Sequence, residues 1–323
     1  MKYLLALLCL IALESAGQNK PVSAKFIGYQ TIPFEKDKQG GISGIEYNPK
    51  DDKWYLGSDK GIWDLYTFRI TYDDNGVNPP VRLDSFDLGP IRNIEAIRLD
   101  TSGNQQKFIL VNEPDDINEL ADIFSWNPAE KEARVKMQIP SKLHPFKDNK
   151  GFEGLVLDKS GNYWIASEQA READGKMIRF SHIDKNTSGI IEQYAFEYDA
   201  SVCKDNGVSE ILMIDEKRFL VLDRCYDGCK VFAKLYQAEI TSQSVDVKDK
   251  EALANMNPNE LMTKKEVLNI NSVLFPDNLE AMTWGPSFPD GSKALVIVSD
   301  DNLKKKAPQI TQVVVFKISG FDF

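Results

Sequence analysis

Two side chains that carry much of enzyme chemistry are scarce in this sequence. Histidine occurs twice, as His144 and His182, and cysteine four times, as Cys9, Cys203, Cys225 and Cys229. Soft-metal chemistry draws on those two residue types and is disfavoured. Positive charge is also short: 39 Lys and Arg stand against 49 Asp and Glu, a net charge of −10, with no basic stripe. Phosphate backbones are gripped by Lys and Arg, so nucleic acid is excluded as a partner. Helical periodicity is nearly absent, the exception being Lys248–Asn257, which Asn257-Pro258 ends. There is no Gly-x-Ser-x-Gly elbow and no P-loop, which removes serine-triad and nucleotide-triphosphatase chemistry. Past residue 17 no apolar run is long enough to span a bilayer.

Residues 1–17 read as a signal peptide, with Lys2 at the start, an apolar run from Tyr3 to Leu13 and Ser15-Ala16-Gly17 as the cleavage site. The expected product is a single exported domain, residues 18–323, periplasmic or extracellular, monomeric and not inserted in a membrane. Three cysteines remain after cleavage, an odd number that leaves one thiol over. Export permits a disulfide, either Cys203–Cys225 or Cys225–Cys229. A zinc site on these cysteines is the alternative, although neither histidine is close to them in sequence.

What the chain does have is a repeated hairpin. Its clearest copy is Gly151-Phe152-Glu153-Gly154-Leu155-Val156-Leu157, a tight turn at Asp158–Asn162, then Tyr163-Trp164-Ile165-Ala166-Ser167-Glu168. Related copies begin at Ile42-Ser43-Gly44, Ile94-Glu95-Ala96, Val208-Ser209-Glu210 and Leu279-Glu280-Ala281. Their first apolar residues fall at 42, 94, 152, 208 and 279, so the spacing is 52, 58, 56 and 71 residues. Repeats of this length with several strands each predict an all-β propeller. Strand counting gives four per repeat and five blades. The last repeat is one strand short, and Ala24 to Ile32 is expected to complete it, closing the ring with both ends of the chain. Six blades, or a pair of β-sandwiches, are the alternatives.

Antiparallel pairing puts the start of one strand beside the end of the next. The hairpins therefore gather Ser43 and Asp59, Glu95 and Glu113, Glu153 and Glu168, the group Ser209, Glu210, Asp223 and Arg224, and the group Glu280, Asp300 and Asp301 around one channel mouth. So many carboxylates repel one another and must take up protons or share a cation. Oxygen ligands in an irregular ring suit calcium, so Ca2+ is the expected cofactor. The metal set is Glu95, Glu113, Glu153, Glu280, Asp59, Asp300 and Asp301, with Asn112, Asn278 and Asn302 as further oxygen donors. Arg92, Lys150, Arg224 and Lys60 are expected at the same mouth, where Arg suits a phosphate or carboxylate. Glu153, Glu168, Arg224, Arg92, Lys150 and His144 form the expected catalytic set for an anionic small-molecule ester. His182, in an outer strand, reads as structural.

Ile42-Ser43-Gly44, Ile94-Glu95-Ala96, Asn149-Lys150-Gly151-Phe152-Glu153-Gly154, Ala166-Ser167-Glu168, Leu222-Asp223-Arg224, Asp277-Asn278-Leu279-Glu280-Ala281 and Ser299-Asp300-Asp301-Asn302 occur in this order. The series resembles the phytase-like family, "esterase-like activity of phytase", over about residues 25–318. The resemblance implies a propeller fold and phosphoesterase activity, with Glu95, Glu153, Glu168, Glu280 and Asp300 as carried-over acids. Two positions depart from the family pattern: Asp223 replaces Glu before Arg224, and Asp301 replaces Asn before Asn302. The leading expectation is a calcium-dependent phosphoesterase. The rivals are a calcium-dependent lactonase or carboxylic esterase, and a non-catalytic binding propeller.

Overall fold

The hairpin at 152–167 shows how the sequence builds its elements. Asp158 Oδ1 accepts from the backbone N–H of Ser160 and Asn162 at 2.7 and 2.8 Å, and Gly161 takes φ 79° in the turn, a region open to glycine. The flanking apolar residues then pair from Leu157↔Tyr163 to Gly154↔Ala166, and the register shifts once before Phe152↔Ser167. The structure is a computed structural model that describes residues 22–35, 38–89, 91–103, 106–114, 119–143, 150–199, 205–226, 230–303 and 309–321. The leader at 1–17, His144, Asn149, Cys203 and Cys229 lie outside the described residues.

After β1 (Ser23–Ile32), the first blade comprises β2 (Ile42–Asn48), β3 (Lys53–Ser58) and β4 (Leu65–Arg69). A small hairpin, β5 (Tyr72–Asp73) and β6 (Gly76–Val77), precedes its last strand, β7 (Val81–Phe86). The second blade is β8 (Ile94–Asp100), β9 (Lys107–Asn112), β10 (Asp122–Asn127) and β11 (Glu132–Gln138). The third is β12 (Phe152–Leu157), β13 (Tyr163–Ser167), β14 (Met177–Ile183) and β15 (Ile190–Glu197). The fourth is β16 (Asp205–Met213), β17 (Arg218–Tyr226), β18 (Val231–Glu239) and β19 (Thr263–Asn269). The fifth is β20 (Asn278–Gly285), β21 (Lys293–Asp300) and β22 (Thr311–Ser319), completed by β1 as the predicted closure requires. β1 runs antiparallel to β22 from Ser23↔Ser319 to Ile32↔Thr311. The fold is thus a five-bladed β-propeller. Its innermost strands β2, β8, β12, β16 and β20 each touch the next, and β20 touches β2.

The hydrophobic core sits in the seams between blades. Val296 and Val298 of β21 pack with Trp54, Leu56 and Tyr66 of the first blade. Their neighbours Leu295 and Ile297 pack with Leu220, Leu222 and Leu235 of the fourth. Alternate residues of one strand therefore feed opposite seams, which is why these strands are apolar throughout instead of alternating apolar with polar. Three further seams, built the same way, contain Trp164 with Phe219, Ile109 with Ile165, and Tyr55 with Phe108.

The predicted helix at Lys248–Asn257 does not form. The segment makes turns, with a single 3-10 turn at Pro258–Glu260 after it. Ten residues are marginal for an isolated helix. Val247, Leu253 and Met256 instead pack against Met177, Ala195 and Leu261 at the edge of the third blade.

Candidate functional site: an acidic pocket at the channel mouth

The pairing of innermost and second strands shifts register once in every blade, between Ile42/Gly44, Ile94/Ala96, Phe152/Gly154, Val208/Glu210 and Leu279/Ala281. The residue skipped is Ser43, Glu95, Glu153, Ser209 or Glu280. A β-bulge re-aims the side chain it carries, so the same irregularity recurs at each repeated polar position. The residue after the bulge is small in four blades because the inner strands approach closely. A Cβ on Gly154 would come within 2.8 Å of Ile211 Cγ1, and one on Gly44 within 3.0 Å of Ile97 Cγ2.

Ser43, Glu95, Glu153 and Glu280 line a cavity of about 820 Å³ together with Asp59, Glu113, Glu168 and Asp300 from the ends of the second strands. Lys60, Lys150, Arg224, Asn278 and Asn302 share it. The predicted convergence of acids at one mouth is therefore what the structure has. Burial pushes the Glu95, Glu153 and Asp300 carboxyls well above the usual carboxylate range, and neighbouring acids push them further: Asp59 on Glu95, Glu95 on Glu153, Asp59 on Asp300. Burial likewise raises Glu280 to about 7, although Arg224 draws it down. Asp59 and Glu113 are raised for the same first reason. Glu153 Oε2 and Asp59 Oδ1 are buried with no hydrogen-bond partner among the described residues.

The cations of the pocket are committed. Arg224 contacts Glu168 at 3.3 Å and Glu280 at 3.1 Å and donates to Asn278 Oδ1 at 2.7 Å. Burial opposes its charge, yet Glu280, Glu168 and Glu153 outweigh that and hold it protonated. Lys150 pairs with Glu168 at 3.0 Å, and Lys60 with Asp59. Glu113 Oε1 accepts from the Gly151 N–H at 2.7 Å, so this acid also anchors a strand start.

Several expected members stand elsewhere. Arg92 does not line the pocket; it pairs with Asp64 at 2.6 Å and Asp87 at 3.6 Å. Asp301 turns to the backbone and accepts from the N–H of Gly41 at 3.0 Å and of Leu303 at 3.2 Å. Asp223 accepts from the Asp199 N–H and from Asn206 Nδ2, each at 2.8 Å. Asn112 accepts from the Asp122 N–H at 2.8 Å. Ser209 is buried and donates to the Leu279 carbonyl at 3.1 Å. His182 stacks on Trp164 with ring centroids 4.4 Å apart and bridges Asp158 and Glu192, a structural setting. Cys225 is disulfide-bonded.

Glu210 is not at the mouth either. It pairs at 2.7 Å with Arg98, and this ion pair plugs the channel. The Arg98 guanidinium donates to the carbonyls of Ile45, Ile97, Ile211 and Met282 at 2.7–3.2 Å. Glu210 Oε1 accepts from the Leu155 N–H at 3.3 Å, which brings in the remaining inner strand. Glu46 lies 3.7 Å from Arg98 and accepts from Thr283 Oγ1 at 3.3 Å. Sequence reasoning missed this cluster. The available signal was a pair of charges, Glu46 and Arg98, at strand positions where other repeats carry Val156 and Leu212.

The donor set of the pocket is oxygen only, and the orphaned Glu153 Oε2 is the kind of atom a hard cation satisfies. Among the described residues no three His, Cys, Asp or Glu side chains already stand in a metal-holding arrangement. The chemistry of the donors thus fits calcium, while a ready-made cage is not present.

Comparison with known proteins agrees with the geometry. In three dimensions the chain is similar to an α-L-arabinofuranosidase from Lactobacillus brevis, at 13% identity and TM-score 0.51 over 88% of this chain and 92% of that one. It is also similar to an endo-arabinase from Bacteroides thetaiotaomicron, at 10% identity and TM-score 0.48 over 88% and 96% of the two chains. At 13% identity the first likeness speaks to the fold alone, and the second carries no argument. No curated protein matches the chain in sequence. The family model for "Phytase-like: Esterase-like activity of phytase" matches residues 37–303. The chain, with its acidic bulge residue in three of five blades, belongs to the phytase-like family.

Proposed function

We propose that the acidic pocket hydrolyses an ester of a small molecule, a phosphate ester first, with calcium as cofactor. The observation that carries this reading is the ring of buried, mutually repelling carboxylates in which Glu153 Oε2 has no hydrogen-bond partner among the described residues. A buried acid in that state is poised to bind a cation or exchange a proton. Glu95, Glu113, Glu153, Glu280, Asp59 and Asp300 would hold the ion. Because no ready cage exists among the described residues, water or substrate oxygens would have to complete its shell. When bound, calcium supplies Lewis-acid polarisation of the ester.

The remaining work falls to side chains. Glu153, whose Oε2 has no hydrogen-bond partner among the described residues, would take the proton of an attacking water when the other acids carry the ion. Arg224 and Lys150 line the pocket and orient the anionic group, sharing Glu168 as their fixed counter-ion. The predicted leader and the disulfide at Cys225 support action outside the cytoplasm. Release of 4-nitrophenol from 4-nitrophenyl phosphate and bis(4-nitrophenyl) phosphate, with calcium and with EDTA, tests the reading. Calcium-stimulated, EDTA-sensitive turnover is expected; no turnover across a broad ester panel would sink it.

A second reading has one observation in its favour. Arg224, Lys150 and Lys60 are each paired with acids, which leaves a pocket rich in negative charge. An uncharged ester or lactone meets less repulsion there than a phosphate does. Lactone turnover without phosphate turnover would select it.

A further inference from the structure

The acids occupy only part of the pocket wall. Where the fourth and fifth blades meet, the wall carries Tyr226, Val231, Phe232, Phe275 and Pro276, interspersed with the polar side chains of Lys230, Asn271, Asp277 and Gln309. Phe275 is 95% exposed, far beyond the next most exposed large apolar residue among those described, Val135 at 59%. Leaving such a ring in water forgoes the stabilisation that its burial would bring. Nor is its segment loose. The N–H groups of Val273 and Leu274 both donate to the Ile270 carbonyl at 3.0 Å. Gln312 donates to the Phe275 carbonyl at 3.4 Å and accepts from the Asp277 N–H at 2.9 Å. Asp277 in turn accepts from the Ile310 N–H at 2.8 Å. The backbone on both sides of Phe275 is tied down, and the ring is held out at the rim of the cavity that contains the carboxylates.

We propose that Phe275, with Phe232 and Tyr226, is a stacking wall for the flat apolar face of a ring in the substrate, either an aryl group or the face of a pyranose. An apolar ring is not attracted to a ring of carboxylates, and the aromatic wall is the part of the same cavity that offers it a partner. The ester end then reaches the acids while the ring lies on the wall. That the occupant is a substrate rests on the hydrolytic reading above; that the wall binds a flat ring does not.

The test uses the full mature chain as wild type, Phe275→Ala and Phe275→Tyr. Because Phe275 is exposed, both variants should unfold like wild type. Saturation-transfer NMR with 4-nitrophenol and, separately, methyl β-D-glucopyranoside reads ring binding without turnover. One of the two probes should bind wild type, bind Phe275→Ala about tenfold more weakly, and recover in Phe275→Tyr; which probe binds identifies the ring. In parallel, Phe275→Ala should raise KM about tenfold for 4-nitrophenyl phosphate and leave KM for methyl phosphate unchanged. If neither probe binds wild type, or if Phe275→Ala binds both as well as wild type does, the wall is overturned. Ring binding through Phe275 without turnover of any ester supports the wall and sinks the hydrolytic reading instead.

Discussion

Two layers of the same channel bury carboxylates, and they treat them in opposite ways. Around Arg98, Glu46 and Glu210 are buried and raised to about 7 by that burial, yet both face one guanidinium that also satisfies four backbone carbonyls. At the mouth, Asp59, Glu95, Glu153, Glu280 and Asp300 push on one another; Lys60 pairs with Asp59 and Arg224 with Glu280, but among the described residues no cation pairs with Glu95, Glu153 or Asp300. Buried charge that serves the fold comes with its counter-charge. Glu95, Glu153 and Asp300, buried without a paired cation among the described residues, are therefore the acids that mark the candidate site.

The sharpest way to break this comparison is to remove the counter-charge of the inner layer. Arg98→Met should cost about 3–5 kcal/mol in denaturant unfolding, since Glu46 and Glu210 are left buried and unpaired. Adding Glu46→Gln and Glu210→Gln should recover part of the loss. The mouth should behave differently. Glu153→Gln is expected to lower ester hydrolysis by about 10²–10⁴-fold. It should leave stability unchanged or raise it by about 1 kcal/mol, because a repelling charge has gone; a stability loss as large as that of Arg98→Met would erase the distinction between the layers.

The pH dependence sharpens the comparison further. Glu280, Glu46 and Glu210 rise from an ordinary 4.5 to about 7 in the folded protein. A raised folded value means the native state holds the proton more tightly than the unfolded chain. Their contribution is complete below about pH 4.5 and is lost as pH rises through about 7. The metal-free protein should therefore melt at a lower temperature at pH 8 than at pH 5. Calcium at a hundredfold excess over its dissociation constant should restore about 2.7 kcal/mol at pH 8, and much less at pH 5, where protons occupy the acids. If calcium stabilises equally at both pH values, it does not bind this ring. The smallest effect is expected at Arg92. Its arginine side chain is more than half exposed and pairs outside the pocket, so Arg92→Ala should change stability by less than about 1 kcal/mol and leave kcat/KM untouched.

Blade number, ring closure and the gathering of acids were legible in the sequence because one hairpin recurs with its polar residue in a fixed place. The bulge explains why that place is fixed: Glu95, Glu153 and Glu280 occupy the same irregularity in three repeats. Distance from the motif was a poorer guide. Arg92 and Asp301 each stand within three residues of a pocket acid, yet a turn of the backbone sends both elsewhere. Glu210 follows the bulge where the other repeats have Gly44, Ala96, Gly154 and Ala281, and that one position carries it to Arg98. The aromatic wall was not readable at all. Phe275 lies in a connection with no strand periodicity, and its exposure depends on contacts to Gln312, far along the chain.

The pairing of β1 with β22 has a consequence for how the protein comes to exist. Glu280 and Asp300 sit on β20 and β21, whose blade is stitched from the first and last strands of the propeller. Four blades can emerge from a ribosome and pair locally, but this one waits for residues 311–319 to be made and to find a partner synthesised almost three hundred residues before. The hairpin of β20 and β21 that carries the two acids can pair by itself, but its blade is complete, and the ring around the mouth closed, only once the two ends of the propeller meet.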